Sequence, residues 1–481
     1  MRGLVVQRIV VVERRTPRPG APIPANEPRS IPPARMRLVT LGRQHATSGA
    51  ARPASAIDGT PPVSPNLVRD VPGERQVGRN TLETLLFRGL STPIALVLVI
   101  VQSRFLAPSG RGTFVLVVLT VTILSRLLGQ LGLAVTTRLR ERELEVRHLV
   151  YRAFALAIAL GIVGGVLVVV SGGLTDAIGA ELALIAALAL VPNVLWQTVS
   201  GVLLGLARVR IWNYVQGLSP LLTLAGMLVL VVALGGGVRA ALVAWTLAHV
   251  LTAAFALVVA RDLWLPVGPQ PILDEHGRTI LRLALLLGAV QVVNLIGYRI
   301  ELFILEWYEG VAAVGVYSIA MQAAEALWLV PAAIATAITG PAVHDDERDA
   351  SRLVGRSALK GLVYTAGAAA IVGGAAPFLI PFLFGHDFEG AARPLALLLP
   401  GIVAYAPVTV LVVYLSLRHG RPNLSLAVAV VAMVVTTVLS LLLIPRYGAE
   451  GAAGASALGY VAGAGLAWLL FSRLSRQARR G

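Results

Sequence analysis

The chain has 481 residues, 56% apolar and only 14% charged, where a soluble domain carries about 25% charged residues, and its mean hydropathy is +0.77. Water cannot be kept from that much apolar surface by so few charges, so a soluble enzyme, a transcription factor and a secreted disulfide scaffold are excluded. There is no cysteine, hence no disulfide, thiolate nucleophile or Cys-ligated metal, and the net charge of +16 is almost all arginine, Lys360 being the only lysine.

Residues 1–79 hold thirteen arginines and twelve of the 28 prolines against five acids. Such a segment buries too little apolar surface to offset its ordering entropy and reads as a disordered tail. It is not a signal peptide, because Arg8 interrupts its only apolar run, Leu4–Val12. It is either a basic arm for anionic lipid, a dispensable extension, or the product of a start placed too early.

From residue 80 onward, apolar stretches long enough to cross the ~30 Å hydrocarbon layer recur. Twelve spans are predicted: 84–106, 112–135, 149–171, 181–206, 212–234, 239–260, 280–305, 311–340, 354–376, 393–417, 422–444 and 449–471. The connection 261–279 contains Pro266, Pro269 and Pro271 and reads as an extended linker. It divides an N-terminal lobe, 80–260, from a C-terminal lobe, 280–471, each of six helices, and 472–481 is a short basic tail. The fold class is therefore all-α, a polytopic membrane protein.

Alternate loops differ sharply in charge. One set carries Arg138, Arg140, Arg142, Arg208, Arg210 and Arg261 among others, while the opposite set offers Arg111, Arg239, Arg393 and Arg446. That asymmetry assigns the first set and both termini to the cytoplasm, and it explains the basic charge without nucleic acid. An internal repeat supports the division into lobes. At an offset of 211, Gly237, Ala241 and Ala244 fall on Gly448, Ala452 and Ala455; at 203, Gly112-Thr113-Phe114 falls on Gly315-Val316-Tyr317. Repeats of like topology are related by an axis along the membrane normal, with the transport path between them.

Ionisable groups in spans are costly and usually face a cavity or a partner. Arg88, Arg126, Arg299, Glu301 and Glu325 are the candidates. In span seven, Gln291, Asn294, Tyr298 and Glu301 recur at 3, 4, 3, which predicts one polar stripe. Ser318, Gln322, Glu325 and Trp328 do so in span eight, and Asn193, Gln197 and Ser200 mark span four. Stripes of this kind either line a hydrated cavity or glue helices together. His249 reads as a hydrogen-bonded packing residue, the run His344–Glu347 as a solvated charge cluster rather than a metal site, and His386–Glu389 as a loop turn. No Walker A loop, nucleophile elbow or HExxH motif is present, so neither an enzyme nor a cofactor is expected.

The segment Phe105–Phe114, FLAPSGRGTF, resembles the LGPxGxGxY/F turn of Wzx-type polysaccharide flippases, members of the multidrug/oligosaccharidyl-lipid/polysaccharide exporter superfamily. Gly297-Tyr298-Arg299-Ile300-Glu301 with Val314–Ala320 resembles that family's nYRxD … xGxYxxA signature, with Glu301 in place of Asp. Phe384–Phe388 resembles its FGxxF loop, and Pro445–Ala453 its PxxGxxGAA turn. Together these cover residues 80–471. The resemblance implies a flippase of the bacterial cytoplasmic membrane that moves a polyprenyl-diphosphate-linked oligosaccharide outward by alternating access for surface polysaccharide biosynthesis. Membrane lipids, a polysaccharide polymerase and glycosyltransferases are the partners it implies. On this reading Arg88, Arg126 and Arg299 meet the diphosphate, and Gln291, Asn294, Tyr298 and Gln322 meet the sugars. Glu301 and Glu325 bind a coupling ion or balance the arginines. A cation-coupled drug exporter of the same superfamily and a non-transporting membrane scaffold are the alternatives; the first requires acid dominance in the cavity.

Overall fold

The computed structural model describes residues 74–137, 143–173, 179–265 and 271–480, with backbone alone for 74–92, 143–145, 171–173 and 478–480. The arginine- and proline-rich tail up to residue 73 lies outside the described residues. In chain order the helices are α1 (Glu74–Leu128), α2 (Leu131–Thr136), α3 (Glu143–Gly173), α4 (Ala180–Leu188), α5 (Leu190–Gly205), α6 (Val209–Met227), α7 (Gly237–Val259), α8 (Arg261–Trp264), α9 (Glu275–Gly297), α10 (Ile300–Glu309), α11 (Val311–Ala326), α12 (Leu329–His344), α13 (Glu347–Phe384), α14 (Ala392–Val412) and α15 (Pro422–Arg480). No strand occurs among the described residues. Helix is what an apolar chain in lipid must form, because each backbone N–H and C=O then finds its partner within the same segment.

Among the described residues, ten helical segments are long and apolar enough to cross a membrane. Two of them, 93–136 and 422–477, are hairpins rather than rods. In α1 the backbone leaves the helical region at Ala107, and Arg111 then hydrogen-bonds Val99 O at 3.3 Å and Gln102 Oε1 at 3.1 Å. Along a straight helix residues 99 and 111 would stand about 18 Å apart, so the chain has turned back. In α15 the break is Gly448, at φ 52°, where a side chain would be strained. Beyond it a Cβ at Gly459 would lie 2.8 Å from Ala432 O, and one at Gly463 would lie 3.0 Å from the Ala432 Cβ. The ten segments, two of them doubled, thus make twelve passes.

Buried apolar side chains form two clusters. One draws on residues 101–284; the other draws on 302–471, with Leu116 and Leu119 of α1. Many apolar side chains also face outward, as Ile371 at 73% and Phe378 at 80% exposure do, which suits a surface solvated by acyl chains. The repeat is visible in the backbone: Gly237 and Gly448, paired by the 211-residue offset, both sit at positive φ. It is visible in packing too. A Cβ on Gly112 would overlap Val311 O, and one on Gly315 would overlap Pro108 O. Adding 203 converts 108 and 112 into 311 and 315, so the contact is reciprocal, as at a two-fold axis.

Several spans are broken where the sequence suggests one rod. Span four divides at Ala189, between α4 and α5, because Pro192 has no N–H to give to the Leu188 carbonyl and crowds it. Span eight divides at Leu327–Trp328, because Pro331 has no N–H to give to the Leu327 carbonyl. Span seven divides at Tyr298–Arg299. The connection 261–279 is not extended throughout: α8 occupies its start, and α9 begins at Glu275, where Asp274 Oδ1 accepts from Gly277 N at 2.8 Å. Arg152 reaches that same aspartate at 2.6 Å. On α8, Asp262 accepts two bonds from Arg208, at 3.0 and 2.6 Å. Burial raises this carboxyl, but the bonds and charge of Arg208 outweigh it and hold it below its ordinary range.

Candidate substrate cavity

The second arm of α1 runs past three different environments. Near its start, around Arg111 and Gly112, it is sealed against α11. Arg111 is fully buried and donates from Nε to Ser318 Oγ at 3.0 Å. The sequence places this arginine in an exposed outer loop; the fold instead uses it to tie the α1 turn to α11. The price is an unpaired guanidinium edge, since Nη2 is buried with no partner. Arg104, on the first arm, donates from Nε to Leu383 O of α13 at 3.0 Å and from Nη2 to Phe382 O.

Further along, between Phe114 and Thr122, α1 borders an inner cavity of about 400 Å³ that Arg299, Gln322, Gln102 and Thr223 also reach. Arg299 is not a free cation there. It forms a two-pronged ion pair with Glu325, Nη1 to Oε1 at 2.5 Å and Nη2 to Oε2 at 2.8 Å, with both side chains mostly buried. The planar fork matches the carboxylate, which makes this among the stronger side-chain pairings. Tyr298 turns away into a knot of rings with Trp328, Tyr405 and Tyr460, its hydroxyl 3.5 Å from that of Tyr405.

From Thr122 to Leu133 the arm borders a chamber of about 500 Å³ between α1, α5, α6, α7 and α9. Arg126 opens into it, and among the described residues its guanidinium has no acid partner. Asn193, Gln197 and Ser200 of α5 supply one wall, Gln216 of α6 another, and Gln291 of α9 a third. The residues that line it include no carboxylate. Thr122 and Trp245 border both spaces, so the chamber and the inner cavity adjoin. Arg111 to Arg126 spans about 22 Å of helix, so seal, inner cavity and chamber follow one another across most of the bilayer.

The stripe expected along span seven does not hold as one face, because the helix is interrupted at Tyr298–Arg299. Gln291 faces the chamber, while Asn294 donates back to Val290 O at 2.9 Å. Glu301 lies beyond the break and is 1% exposed. Its carboxylate lies beside the hydroxyls of Ser456 and Tyr317. The span-eight stripe stays on one side: Ser318 meets Arg111, Gln322 reaches the inner cavity and Glu325 meets Arg299. Arg88 lies on α1, but its side chain is outside the described residues.

Sequence reasoning passed over three indoles. Trp196, Trp212 and Trp245 line the chamber. His249 does bond backbone, Nδ1 to Trp245 O at 2.8 Å, yet it also lines the chamber and lies 4.4 Å from the Trp245 ring. The available signal was adjacency: Trp196 precedes Gln197, and Trp245 and His249 are one turn apart. Elsewhere, His386 bonds Glu389 three residues on, at 2.5 Å, and no cluster suited to a metal occurs among the described residues.

Solved structures with this fold are membrane transporters. A multidrug resistance MATE family transporter of the MOP superfamily, in an inward-facing conformation, matches with a TM-score of 0.66 at 18% identity, covering 80% of this chain and 95% of its own. The lipid II flippase MurJ, in an inward closed conformation, matches with a TM-score of 0.66 at 12% identity, covering 83% and 90%. A MOP superfamily transporter from Pyrococcus furiosus, described by the reverse polarity of its binding pocket, matches at 0.57 and 16%, covering 84% and 96%. No curated protein matches the sequence. The chain thus shares its fold with transporters of the MOP superfamily, a multi-pass membrane architecture of about twelve helices. The chain belongs to the polysaccharide biosynthesis protein family, whose model matches residues 77–343.

Proposed function

We propose that this protein flips a polyprenyl-diphosphate-linked oligosaccharide across the cytoplasmic membrane by alternating access, its lipid tail remaining in the bilayer. The observation that carries the reading is the chamber: partly polar, without a lining carboxylate, and bordered by Arg126, whose guanidinium has no acid partner among the described residues. A diphosphate is anionic and offers paired oxygens, which the exposed planar fork of Arg126 can bond two at a time. An exporter of organic cations needs a carboxylate facing its cavity, and here Glu325 is already held by Arg299. Family membership in polysaccharide biosynthesis and a fold shared with a lipid II flippase agree with this choice.

The chamber lies toward the end of α1 that leads to Arg138, Arg140 and Arg142, the side that the arginine asymmetry assigns to the cytoplasm. The substrate thus enters from the cytoplasmic leaflet while the opposite end is shut by the α1–α11 contact. Of the two acids, Glu325 balances Arg299, and Glu301 takes the coupling ion. Its carboxylate is buried beside the Ser456 and Tyr317 hydroxyls and forms no ion pair among the described residues, so a proton or small cation would neutralise it.

The test is transport in vesicles of a fluorescent polyprenyl-diphosphate oligosaccharide. Arg126→Ala is expected to slow flipping about ten- to a hundredfold, the loss of a charge-assisted contact. Glu301→Gln is expected to remove the response to an imposed proton or sodium gradient. Wild-type rates from Arg126→Ala, or wild-type protein that moves organic cations and not the glycolipid, would overturn the reading; a protein that moves neither would leave the scaffold role.

A further inference from the structure

Several cations on the side assigned to the cytoplasm are already held by acids: Arg152 by Asp274, Arg208 by Asp262 and Arg418 by Glu347. The foot of α13 is different. Arg352, Arg356, Lys360 and Tyr364 recur every four residues along it and so share one side of the helix, and all four are exposed. Arg352 has Asp349 at 3.7 Å. Arg356 and Lys360 have no acid within a helical turn and form no ion pair among the described residues. With Leu359, Val363 and Tyr364 they border a shallow hollow of about 290 Å³. It shares no lining residue with the inner cavity or the chamber.

Depth fixes what this hollow meets. Ile371, Phe378 and Phe382 face outward along the rest of α13, toward its far end. A ~30 Å hydrocarbon layer takes about 20 helical residues, and counting back from Phe382 ends that layer close to Val363. Leu359, Val363 and Tyr364 therefore lie at the edge of the acyl region, with Lys360 and Arg356 at the level of the phosphates. Lys360, the only lysine of the chain, has the flexible stem that carries an ammonium along an apolar wall to that layer. The adjoining helix adds charge nearby. A Cβ on Gly355 would lie 3.6 Å from the Phe471 ring of α15, and Arg473 and Arg476, just beyond, are exposed. An apolar hollow edged by two uncompensated cations fits a molecule that joins a negative phosphate to an acyl chain. A soluble anion would leave Leu359 and Val363 unused, and a zwitterionic headgroup would bring its own cation against Arg356 and Lys360. We propose that the foot of α13 binds an anionic glycerophospholipid of the cytoplasmic leaflet. Arg356 and Lys360 hold its phosphate, and one acyl chain lies along Leu359, Val363 and Tyr364. The site stands apart from the transport path and is independent of the cargo.

The experiment uses purified full-length protein in neutral detergent micelles. It follows the anisotropy of tail-labelled phosphatidylglycerol, with tail-labelled phosphatidylcholine as the control. Wild type is expected to prefer phosphatidylglycerol about thirtyfold, the worth of two basic side chains at an anionic surface. That preference is expected to vanish near 1 M salt, where the screening length falls to ~3 Å. Arg356→Gln with Lys360→Gln is expected to bind the two lipids alike while melting as wild type does. Arg278→Gln with Arg282→Gln removes the same charge from the foot of α9, where Asp274 and Glu275 border the same hollow, and is expected to keep the preference. No preference in wild type, or an unchanged preference in the folded α13 variant, overturns the site. An equal loss in the α9 variant would show diffuse attraction to a basic surface and overturns it too, as does full displacement of the labelled lipid by an equal concentration of inorganic phosphate. Should the α13 variant fail to fold, wild type alone decides: a preference that survives 1 M salt overturns the roles of Arg356 and Lys360.

Discussion

Arg299 and Glu325 stand 26 residues apart on different helices, and neither is tolerable alone. Removing one partner of a buried ion pair strands the other charge and costs about 3–5 kcal/mol. Arg299→Ala and Glu325→Ala are therefore expected to lower the melting temperature in detergent markedly. The exchange Arg299→Glu with Glu325→Arg should recover much of the loss. If both single variants melt like wild type, the pair contributes nothing to the fold. From sequence, Arg299 stands out as a cation in lipid, and the diphosphate is the natural ligand to give it. The spacing to Glu301 rules that residue out as a same-face partner, but nothing in sequence brings Glu325 to it. The break at Tyr298–Arg299 does so, by freeing the side chain from the direction its helix would impose. Arg126 stands out in sequence in the same way, as a cation inside span two, and it borders the chamber.

Helical periodicity predicts shared faces only as long as the helix continues. The span-eight stripe survives because its members up to Glu325 precede the break at Leu327–Trp328; the span-seven stripe fails because Tyr298 and Glu301 straddle one. Prolines mark some of these breaks in the sequence, Pro192 and Pro331 among them, but the span-seven break has no proline at all. Close approach is the other property of the elements that composition hides. Gly112 and Gly315 are two of 48 glycines, yet α1 and α11 meet there with no room for a Cβ. Gly315→Ala is expected to destabilise the protein by about 1–3 kcal/mol, as overpacking does. Gly367→Ala, on α13 with nothing within 4 Å, serves as the control. Equal melting temperatures for the two would show that the crossing is looser than it looks.

At the scale of the whole molecule, the two halves touch at both ends of the second arm of α1, at Gly112 against Val311 of α11 and at Leu127 against Gly288 of α9. Arg104 on α13 and Arg111 on Ser318 close the first end, and the chamber lies at the second. Alternating access requires that these closing contacts part once per cycle. The chain has no cysteine, so paired cysteines at positions 104 and 383, joined by a short cleavable maleimide linker, are expected to stop glycolipid transport, and cleavage to restore it. Undiminished transport by the linked protein would place the moving joint elsewhere. Sequence by itself determined the solvent, the helical class, the number of passes and the repeat, because each follows from the length and order of apolar runs, and lipid allows few other backbones. The tertiary structure alone decided which polar groups are free to meet a ligand. That depends on partners many residues apart, and on where a helix breaks, turning one arginine into half of an ion pair, another into a clasp, and leaving a third open to the cavity.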